Sequence, residues 1–365
     1  MNVPADLAGR LLIDVSWHED RIQRVQLTST RPQQVTRLLR NRSVEEVLSL
    51  VPMLYRLCSV AQKVAALEAV ESALGIDVSP EVLHARQLLV QAETARELGL
   101  RLASRWLSSP EIAAGLMRWF VQWQQRFQWA LELNPSEPDM PIAASEISAE
   151  LKQLVVALLG VETDLNTLLF DTGHPVGAPL RELQNGLGDI ELADPAAPQR
   201  LSHLNAIEGC LASDLSEQFC RTPLLAGEAY ETSIWSRNCQ HSLVAEGKQA
   251  GLNSLSLRWL ALVAGLHALP AQMRNREQDI VGFGAPGTGV VEAARGLLIH
   301  RVELEGDSVR DYQIVAPTEW NFHPQGTLVK MLEGVSVERE RVQPLVEALV
   351  LLVDPCVDWQ IEVGH

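Results

Sequence analysis

Cysteine thiols are the side chains of this sequence best suited to specific chemistry, and they occur at five separated positions: Cys58, Cys210, Cys220, Cys239 and Cys356. No two of them form a C-x-x-C pair, which argues against zinc ribbons and dithiol redox sites. An odd number of widely spaced thiols also differs from a small disulfide framework and leaves at least one thiol free. The pattern therefore indicates a reducing compartment. The N-terminal residues lack a basic region followed by an apolar one, so we expect a cytoplasmic protein.

Two of the five cysteines have distinctive surroundings. Cys58 lies in a helical segment, and Cys356 directly follows Asp354-Pro355 near the C-terminus. Proline fixes the backbone where a helix stops, so it presents the Cys356 thiol at a defined helix end, which suits a metal ligand. An ordinary buried thiol remains the alternative for both positions. Cys210, Cys220 and Cys239 suit small buried hydrophobic residues better than metal ligands.

Other motifs in the sequence give little support to familiar enzyme chemistries. Gly282-Phe-Gly284-Ala-Pro-Gly287 matches G-x-G-x-x-G, but a dinucleotide site needs a helix directly after the glycines, whereas the next clear elements here are strands. A flexible glycine loop is the better interpretation. Phosphate-binding loops, zinc-protease helices and hydrolase nucleophile elbows have no matching motif. Five histidines are expected to be solvated or hydrogen-bonded residues rather than ligands: His174, His203, His241, His267 and His300.

Composition and charge exclude two classes of partner. The 365 residues are 47% hydrophobic, which is ample for a packed core, and their formal net charge of −16 would repel a nucleic acid backbone. The most apolar stretches, 259–269 and 345–353, are about half of the roughly 18 to 20 residues that a membrane crossing needs. Neither a nucleic acid nor a membrane is therefore expected as a partner.

The patterning of apolar residues predicts an α+β protein that is mostly a helical bundle with small peripheral β hairpins and sheets. A single domain is expected over 1–365. Its predicted parts are a β hairpin at 10–28, a helical body at 43–272 with an irregular connection at 171–200, a β hairpin at 297–315, and a C-terminal helix with its Asp-Pro-Cys motif at 336–365. Ser43 and Glu46 have the spacing of a capping box, and an aromatic stripe at Trp119, Phe120, Trp123 and Phe127 is interpreted as core.

Taken in order, several segments resemble the large subunit of nickel-iron hydrogenases. The segment 56–60, Arg-Leu-Cys-Ser-Val, resembles that family's R-x-C-G-x-C motif, and 291–296 resembles its E-A-P-R-G motif. The segment 312–321 resembles its N-Y-Q…P-x-T-W-N stretch, and 354–356 resembles its terminal D-P-C-x-x-C motif. The opening hairpin and Arg31 match the start of the family pattern. The resemblance implies a hydrogenase large-subunit-like fold over nearly the whole chain.

The departures from that family concern its metal site. Four cysteines hold nickel in the family, and the second cysteine of each pair also bridges to an iron that carries carbon monoxide and cyanide. Here Ala61 and Trp359 stand at those second positions, Gln34 replaces a proton-transferring glutamate, and Glu362 replaces a histidine. Two thiolates do not supply the usual four-thiolate nickel site, so we expect neither nickel binding nor an enzyme that turns over hydrogen.

The remaining features resemble accessory proteins of hydrogenase systems, the HupK/HoxV-like maturation scaffolds. This resemblance implies that Cys58 and Cys356 bind iron transiently as an Fe(CN)2(CO) fragment, and that Arg295 donates hydrogen bonds to its cyanide ligands. The expected partners are maturation factors of the iron-cyanide-carbonyl pathway and the precursor of the hydrogenase large subunit. The alternative is a metal-free chaperone or interaction module. By motif position Cys58 and Cys356 match terminal nickel ligands, so iron binding requires a shift from the family's iron position. A further hypothesis is that Trp359 fills the space of the missing thiolate.

Overall fold

A small mixed sheet joins the two ends of the chain. The computed structural model describes residues 9–30, 36–136, 143–161, 164–193, 215–275 and 285–364. Strands β1 (Arg10–His18) and β2 (Arg21–Ser29) form the predicted antiparallel hairpin, and its two-residue turn takes the left-handed conformation at Glu19 and Asp20. A third strand, β6 (Asp358–Gly364), pairs parallel to β1. This strand was not predicted, because 336–365 was interpreted as a helix followed by a motif.

The first helical segment is interrupted just before Cys58. Helix α1 (Val44–Leu54) begins at the predicted capping box, in which Ser43 Oγ accepts from Glu46 N at 3.2 Å and Glu46 Oε2 accepts from Ser43 N at 3.0 Å. A short 3₁₀ turn (Arg56–Cys58) then leads into α2 (Ser59–Leu74), which ends at Gly75 with φ +66°. The left-handed conformation of Gly75 ends the helix without a Cβ penalty.

The helical body follows, and its bounds are α3 (Pro80–Arg101), continued by a π-helical turn (Leu102–Trp106), α4 (Pro110–Arg126) with a 3₁₀ turn (Gln128–Leu131), α5 (Ala144–Leu159), α6 (Leu165–Phe170), α7 (Gly177–Leu187), α8 (Glu217–Arg221), α9 (Ile234–Asn238), α10 (Ser242–Gln249) and α11 (Ser254–Gln272). The aromatic stripe of α4 is buried, as predicted.

The prediction of an irregular connection at 171–200 was wrong where α7 forms. The buried residues Leu180, Leu183 and Leu187 have helical spacing there, and Pro179 lies in the first turn, where proline is tolerated.

Helix α11 is long and apolar enough to cross a membrane, and it is the single described helix that meets this test. However, 78% of the relevant window is buried inside the protein. Its Arg258 forms a bidentate ion pair with Glu231 at 2.6 and 2.7 Å, and both side chains are buried. These features are those of a core helix.

A second sheet and the last helices complete the fold. Strands β3 (Thr288–Ala293), β4 (Gly296–Glu305) and β5 (Ser308–Val315) form an antiparallel meander, which contains the predicted hairpin at 297–315. Because strand β3 follows Gly287 directly, the helix that a dinucleotide site needs is missing; Gly282 and Gly284 lie outside the described residues. Helices α12 (Pro317–Asn321), α13 (Thr327–Leu332) and α14 (Arg339–Val353) then lead to Cys356.

Candidate metal centre

Cys58 lies at the junction where α2 begins. It ends the 3₁₀ turn, serves as the N-cap of α2, and is only 6% exposed. Glu93 of α3 accepts hydrogen bonds from Val60 N and Ala61 N, both at 2.9 Å. Those amides have no partner inside their own helix, so the Glu93 carboxylate satisfies them and fixes the N-terminus of α2 against α3. Gln62 Nε2 donates to the Cys58 sulfur at 3.8 Å.

Cys356 lies in the bend between α14 and β6. Helix α14 ends at Asp354, which has φ +65°, an uncommon conformation for a residue other than glycine. Cys356 N donates to Thr318 Oγ1 at 3.0 Å, and the same oxygen is 2.7 Å from the Cys356 sulfur. The loop is therefore anchored to α12 through both the backbone and the thiol of Cys356.

Arg295 lies in the tight turn between β3 and β4, and its side chain is only 11% exposed. Its Nη1 donates to Glu97 Oε2 at 2.8 Å, and its Nε is 3.0 Å from Asp354 Oδ2. Asn321 Nδ2 donates to the Arg295 carbonyl at 2.7 Å and so holds the turn in place. The described contacts of the guanidinium use Nε and Nη1.

The three residues singled out by the sequence lie close enough for their charges to interact. Burial, and then the charges on Cys356 and Glu93, raise the pKa of the Cys58 thiol, whereas Arg295 lowers it. Burial alone would lower the pKa of Arg295, but Asp354, Glu97 and Cys356 outweigh burial and raise it. The guanidinium therefore stays cationic beside the two thiols, and the structure brings Cys58, Arg295 and Cys356 together.

One face of α3 carries four buried charged residues beside this site, which the sequence analysis did not identify: Glu93, Arg96, Glu97 and Arg101. Arg96 pairs with Glu97 at 2.6 Å, and Arg101 Nη1 pairs with Asp354 Oδ2 at 3.0 Å. Charged residues recurring every three to five positions normally indicate a solvent-exposed helix face. Here that face is buried against the turn that carries Arg295. Glu93, Glu97 and Arg101 are surrounded in the sequence by mostly apolar residues, and this pattern could have indicated that the charges are buried.

Behind Cys58, a chain of buried hydrogen bonds leads to the second sheet. Gln62 Oε1 lies 2.9 Å from His300 Nε2, and His300 Nδ1 lies 2.8 Å from the Tyr312 hydroxyl. Burial lowers the pKa of His300 to about 3, so the ring is neutral. Because the Gln62 carbonyl can only accept, His300 Nε2 carries the proton and Nδ1 accepts from Tyr312. His300 is therefore a hydrogen-bonded residue, as predicted from the sequence.

A cavity of about 330 Å³ adjoins the Cys356 side of the site. Thr318, which bonds the Cys356 sulfur, lines this cavity together with Tyr55, Tyr312 and Cys220. Burial raises the pKa of the Cys220 thiol to about 12, so Cys220 stays protonated at neutral pH. Open space therefore lies next to Thr318, the hydrogen-bond partner of Cys356.

The remaining positions of the hydrogenase-like motifs lie on α2, on β6 or outside the described residues. Ala61 is fully buried within α2, and Trp359 is half-buried on β6, paired with Leu11 and packed against the main core. Glu362 lies exposed on the same strand. Arg31, Gln34, His203 and Cys210 lie outside the described residues. Among the residues that the structure describes, no group of three or more His, Cys, Asp or Glu side chains is placed to hold a metal ion.

Glu93 gives the site a measurable pH dependence. Burial raises its pKa from 4.5 to about 7, more than its two backbone donors lower it. Between these values the folded protein binds more protons than the unfolded chain, so the free energy of unfolding decreases as the pH rises through this window. We expect Glu93→Gln to remove up to about 1.4 kcal/mol per pH unit from that slope, measured by chemical denaturation between pH 5 and 7. Glu45→Gln, an exposed change on α1, is the control, and equal slopes in all three proteins would contradict the assignment.

Comparison with known proteins identifies the class and then the family. The family model described as "Nickel-dependent hydrogenase" matches residues 236–358. The fold resembles the Ni-Fe-Se hydrogenase of D. vulgaris Hildenborough with a TM-score of 0.60 and 15% identity, over 93% of this chain and 94% of that one. This chain thus has the fold of a nickel-iron hydrogenase large subunit.

Relatives of nearly equal length give the narrower assignment. The hydrogenase expression/formation protein HupV of Azotobacter chroococcum mcd 1 is 32% identical over 98% of this chain and 100% of its own length. The corresponding protein HoxV of Cupriavidus necator is 28% identical over 92% of each chain. The chain belongs to this family of HupK, HupV and HoxV proteins.

Proposed function

We propose that this protein acts in hydrogenase maturation as a scaffold that transiently carries the Fe(CN)2(CO) fragment toward the precursor of the hydrogenase large subunit. Cys58 and Cys356 bind the iron in this proposal, and Arg295 donates hydrogen bonds to a cyanide ligand. The observation that carries the proposal is the convergence of two thiols from opposite ends of the chain on one buried cation. The names of the relatives, hydrogenase expression/formation proteins, support the maturation role.

The chemistry of the three side chains suits such a cargo. Thiolates are soft ligands that favour low-valent iron, and a guanidinium offers directed donors to the nitrogen of a cyanide. Ferrous iron with two cyanides has no net charge, so two thiolates give the bound fragment a charge of −2. Each thiol must lose its proton when it binds a metal. A cation that stays charged beside both sulfurs lowers the cost of that step.

The same arrangement favours release. Ala61 and Trp359 occupy the positions where the hydrogenase family has two further thiols, and each missing thiolate removes one metal bond. When Cys356 is a thiolate its sulfur can only accept, so the Thr318 hydroxyl beside it can donate to the sulfur and draw on its electron density. A carrier with two thiolates can therefore transfer the fragment to an acceptor with four. For the same reason we expect neither stable nickel binding nor hydrogen turnover by this protein.

The second candidate function is a metal-free chaperone that assists maturation of the large subunit. One observation favours it: Arg295 already pairs with Glu97 and Asp354, so its charge is neutralised within the protein without a cargo. A site that is complete in this way stabilises the fold without any metal.

Infrared spectroscopy separates the two functions. The protein is purified anaerobically from cells that produce the cyanide- and carbonyl-forming maturation factors and, as the control, from cells that lack them. The scaffold function predicts cyanide and carbonyl bands with bound iron in the first preparation only. Absence of bands from both preparations, while large-subunit maturation still requires the protein, would leave the chaperone function in its place.

A further inference from the structure

Arg101 is a buried cation whose hydrogen-bonding groups are only partly used. It ends α3 and is 8% exposed, and its Nη1 lies 3.0 Å from Asp354 Oδ2. Within the part of the chain that the structure describes, its Nε and Nη2 are buried without a hydrogen-bond partner. A buried charged group that leaves donors unsatisfied destabilises a protein, so such donors indicate a missing ligand or a functional role.

Other buried arginines of this fold are better satisfied. Arg86 forms two bonds with Glu71 at 2.6 and 2.7 Å, and it also donates to the carbonyls of Ala130 and Glu132. Arg258 forms a comparable two-bond pair with Glu231. The sequence can therefore supply a full set of acceptors to a buried guanidinium, as it does for Arg86. Arg101 instead leaves both Nε and Nη2 without a hydrogen bond, whereas its neighbour Arg295 leaves only Nε.

The position of Arg101 connects these donors with the thiol site. Asp354 Oδ2 lies 3.0 Å from Arg101 Nη1 and 3.0 Å from Arg295 Nε, so one carboxylate oxygen is shared by two guanidiniums. Asp354 is two residues before Cys356 in the chain. Burial, and then the neighbouring Arg295, also disfavour the Arg101 charge despite its contact with Asp354, and they lower its pKa. Arg101 thus shares its one carboxylate oxygen with a second cation, and an anion beside Nε and Nη2 would give Arg101 acceptors of its own.

The backbone next to Arg101 is irregular. The α-helix changes at Leu102 into a π-helical turn that ends at Trp106, closed by a bond from Leu107 N to Leu102 O at 2.9 Å. Such turns insert an extra residue into a helix and occur frequently at functional sites. The irregularity thus begins at the residue that follows Arg101.

We propose that Arg101 is a second anion-binding residue of the thiol site, whose Nε and Nη2 donate hydrogen bonds to a small linear anion of the cyanide class on the bound iron fragment. This inference rests on the proposed function and extends it. Arg295 and Arg101 then form a pair of cations held by Asp354, and each serves one of the two cyanide ligands.

The test compares Arg101→Met with Arg105→Met. Arg105 lies four residues further on, in the π-helical turn, and is exposed, so its replacement removes a neighbouring positive charge without removing a buried donor. In protein purified with the maturation factors, we expect Arg101→Met to shift the cyanide bands and to shorten retention of iron during gel filtration roughly tenfold, as loss of a charged hydrogen bond predicts. Arg105→Met should leave the bands in place, and Arg101→Lys should give an intermediate retention time.

The outcomes separate this inference from the proposed function. If the wild type carries the fragment and Arg101→Met keeps the same bands and retention, the inference is wrong and the scaffold function stands. If the wild type carries no fragment, the scaffold function fails, and azide titrated into the metal-free protein decides the inference. An infrared band of bound azide in the wild type and in Arg105→Met, but not in Arg101→Met, supports an anion site. Absence of that band from the wild type, or its presence in Arg101→Met, refutes it.

Discussion

Replacing either Cys58 or Cys356 by serine is expected to remove the cyanide and carbonyl bands and to lower bound iron more than tenfold. A serine hydroxyl is harder than a thiol and does not ionise at neutral pH, so it replaces neither iron–thiolate bond. The fold should tolerate both changes, since serine is nearly isosteric with cysteine and can keep the contacts to Gln62 and Thr318. The measurement is infrared spectroscopy combined with iron analysis on anaerobically purified protein.

Cys239→Ser provides the matched control. Cys239 is also a buried thiol, 6% exposed like Cys58, but it lies at the end of α9. Iron and bands should be unchanged in this variant. Retention of the bands in both Cys58→Ser and Cys356→Ser would show that other groups bind the iron. Loss of the bands in only one variant would indicate that a single thiol binds the iron. This outcome matters because both cysteines match terminal nickel positions of the hydrogenase motif and not the positions that contact iron.

Replacing Asp354 by asparagine is expected to reduce the free energy of unfolding by about 3 to 5 kcal/mol, because it removes the carboxylate that faces two buried guanidiniums. Asparagine tolerates the left-handed conformation that Asp354 adopts, so the change removes the charge with little effect on the backbone. Chemical denaturation measures the loss. In the folded protein, iron retention should also fall, since the same residue positions the loop that carries Cys356.

Asp189→Asn is the control for that variant. Asp189 pairs with Arg341, but its side chain is 69% exposed, so water screens the pair and its removal should cost far less than the removal of Asp354. A loss at Asp354 no larger than the loss at Asp189 would contradict the role assigned to the buried carboxylate. Normal stability with reduced iron retention would instead assign Asp354 to the site alone.

Local patterns predicted much of the fold. The N-terminal hairpin, the capping box at Ser43, the buried aromatic stripe of α4 and the hairpin at 297–315 all depend on residues close in sequence. Strand β6 was missed because its seven residues are stabilised by pairing with β1 at the other end of the chain. Helix α7 was missed because its glycines and proline suggested a loop, whereas burial of its leucines overrides that local preference.

The candidate site likewise has features that the sequence predicted and features that only the tertiary structure determined. The sequence by itself determined which donors the chain can offer: two cysteines in motif positions, Ala61 and Trp359 where further thiols would be, and one arginine in a glycine-bounded turn. Only the tertiary structure decided that Glu97 meets Arg295 across 198 residues, and that Asp354 holds both Arg295 and Arg101. The physical reason is that such contacts arise from packing of α3 against the β3–β4 turn and the end of α14. From sequence alone, the charged face of α3 would be predicted to be exposed, because the elements that bury it are distant in the chain.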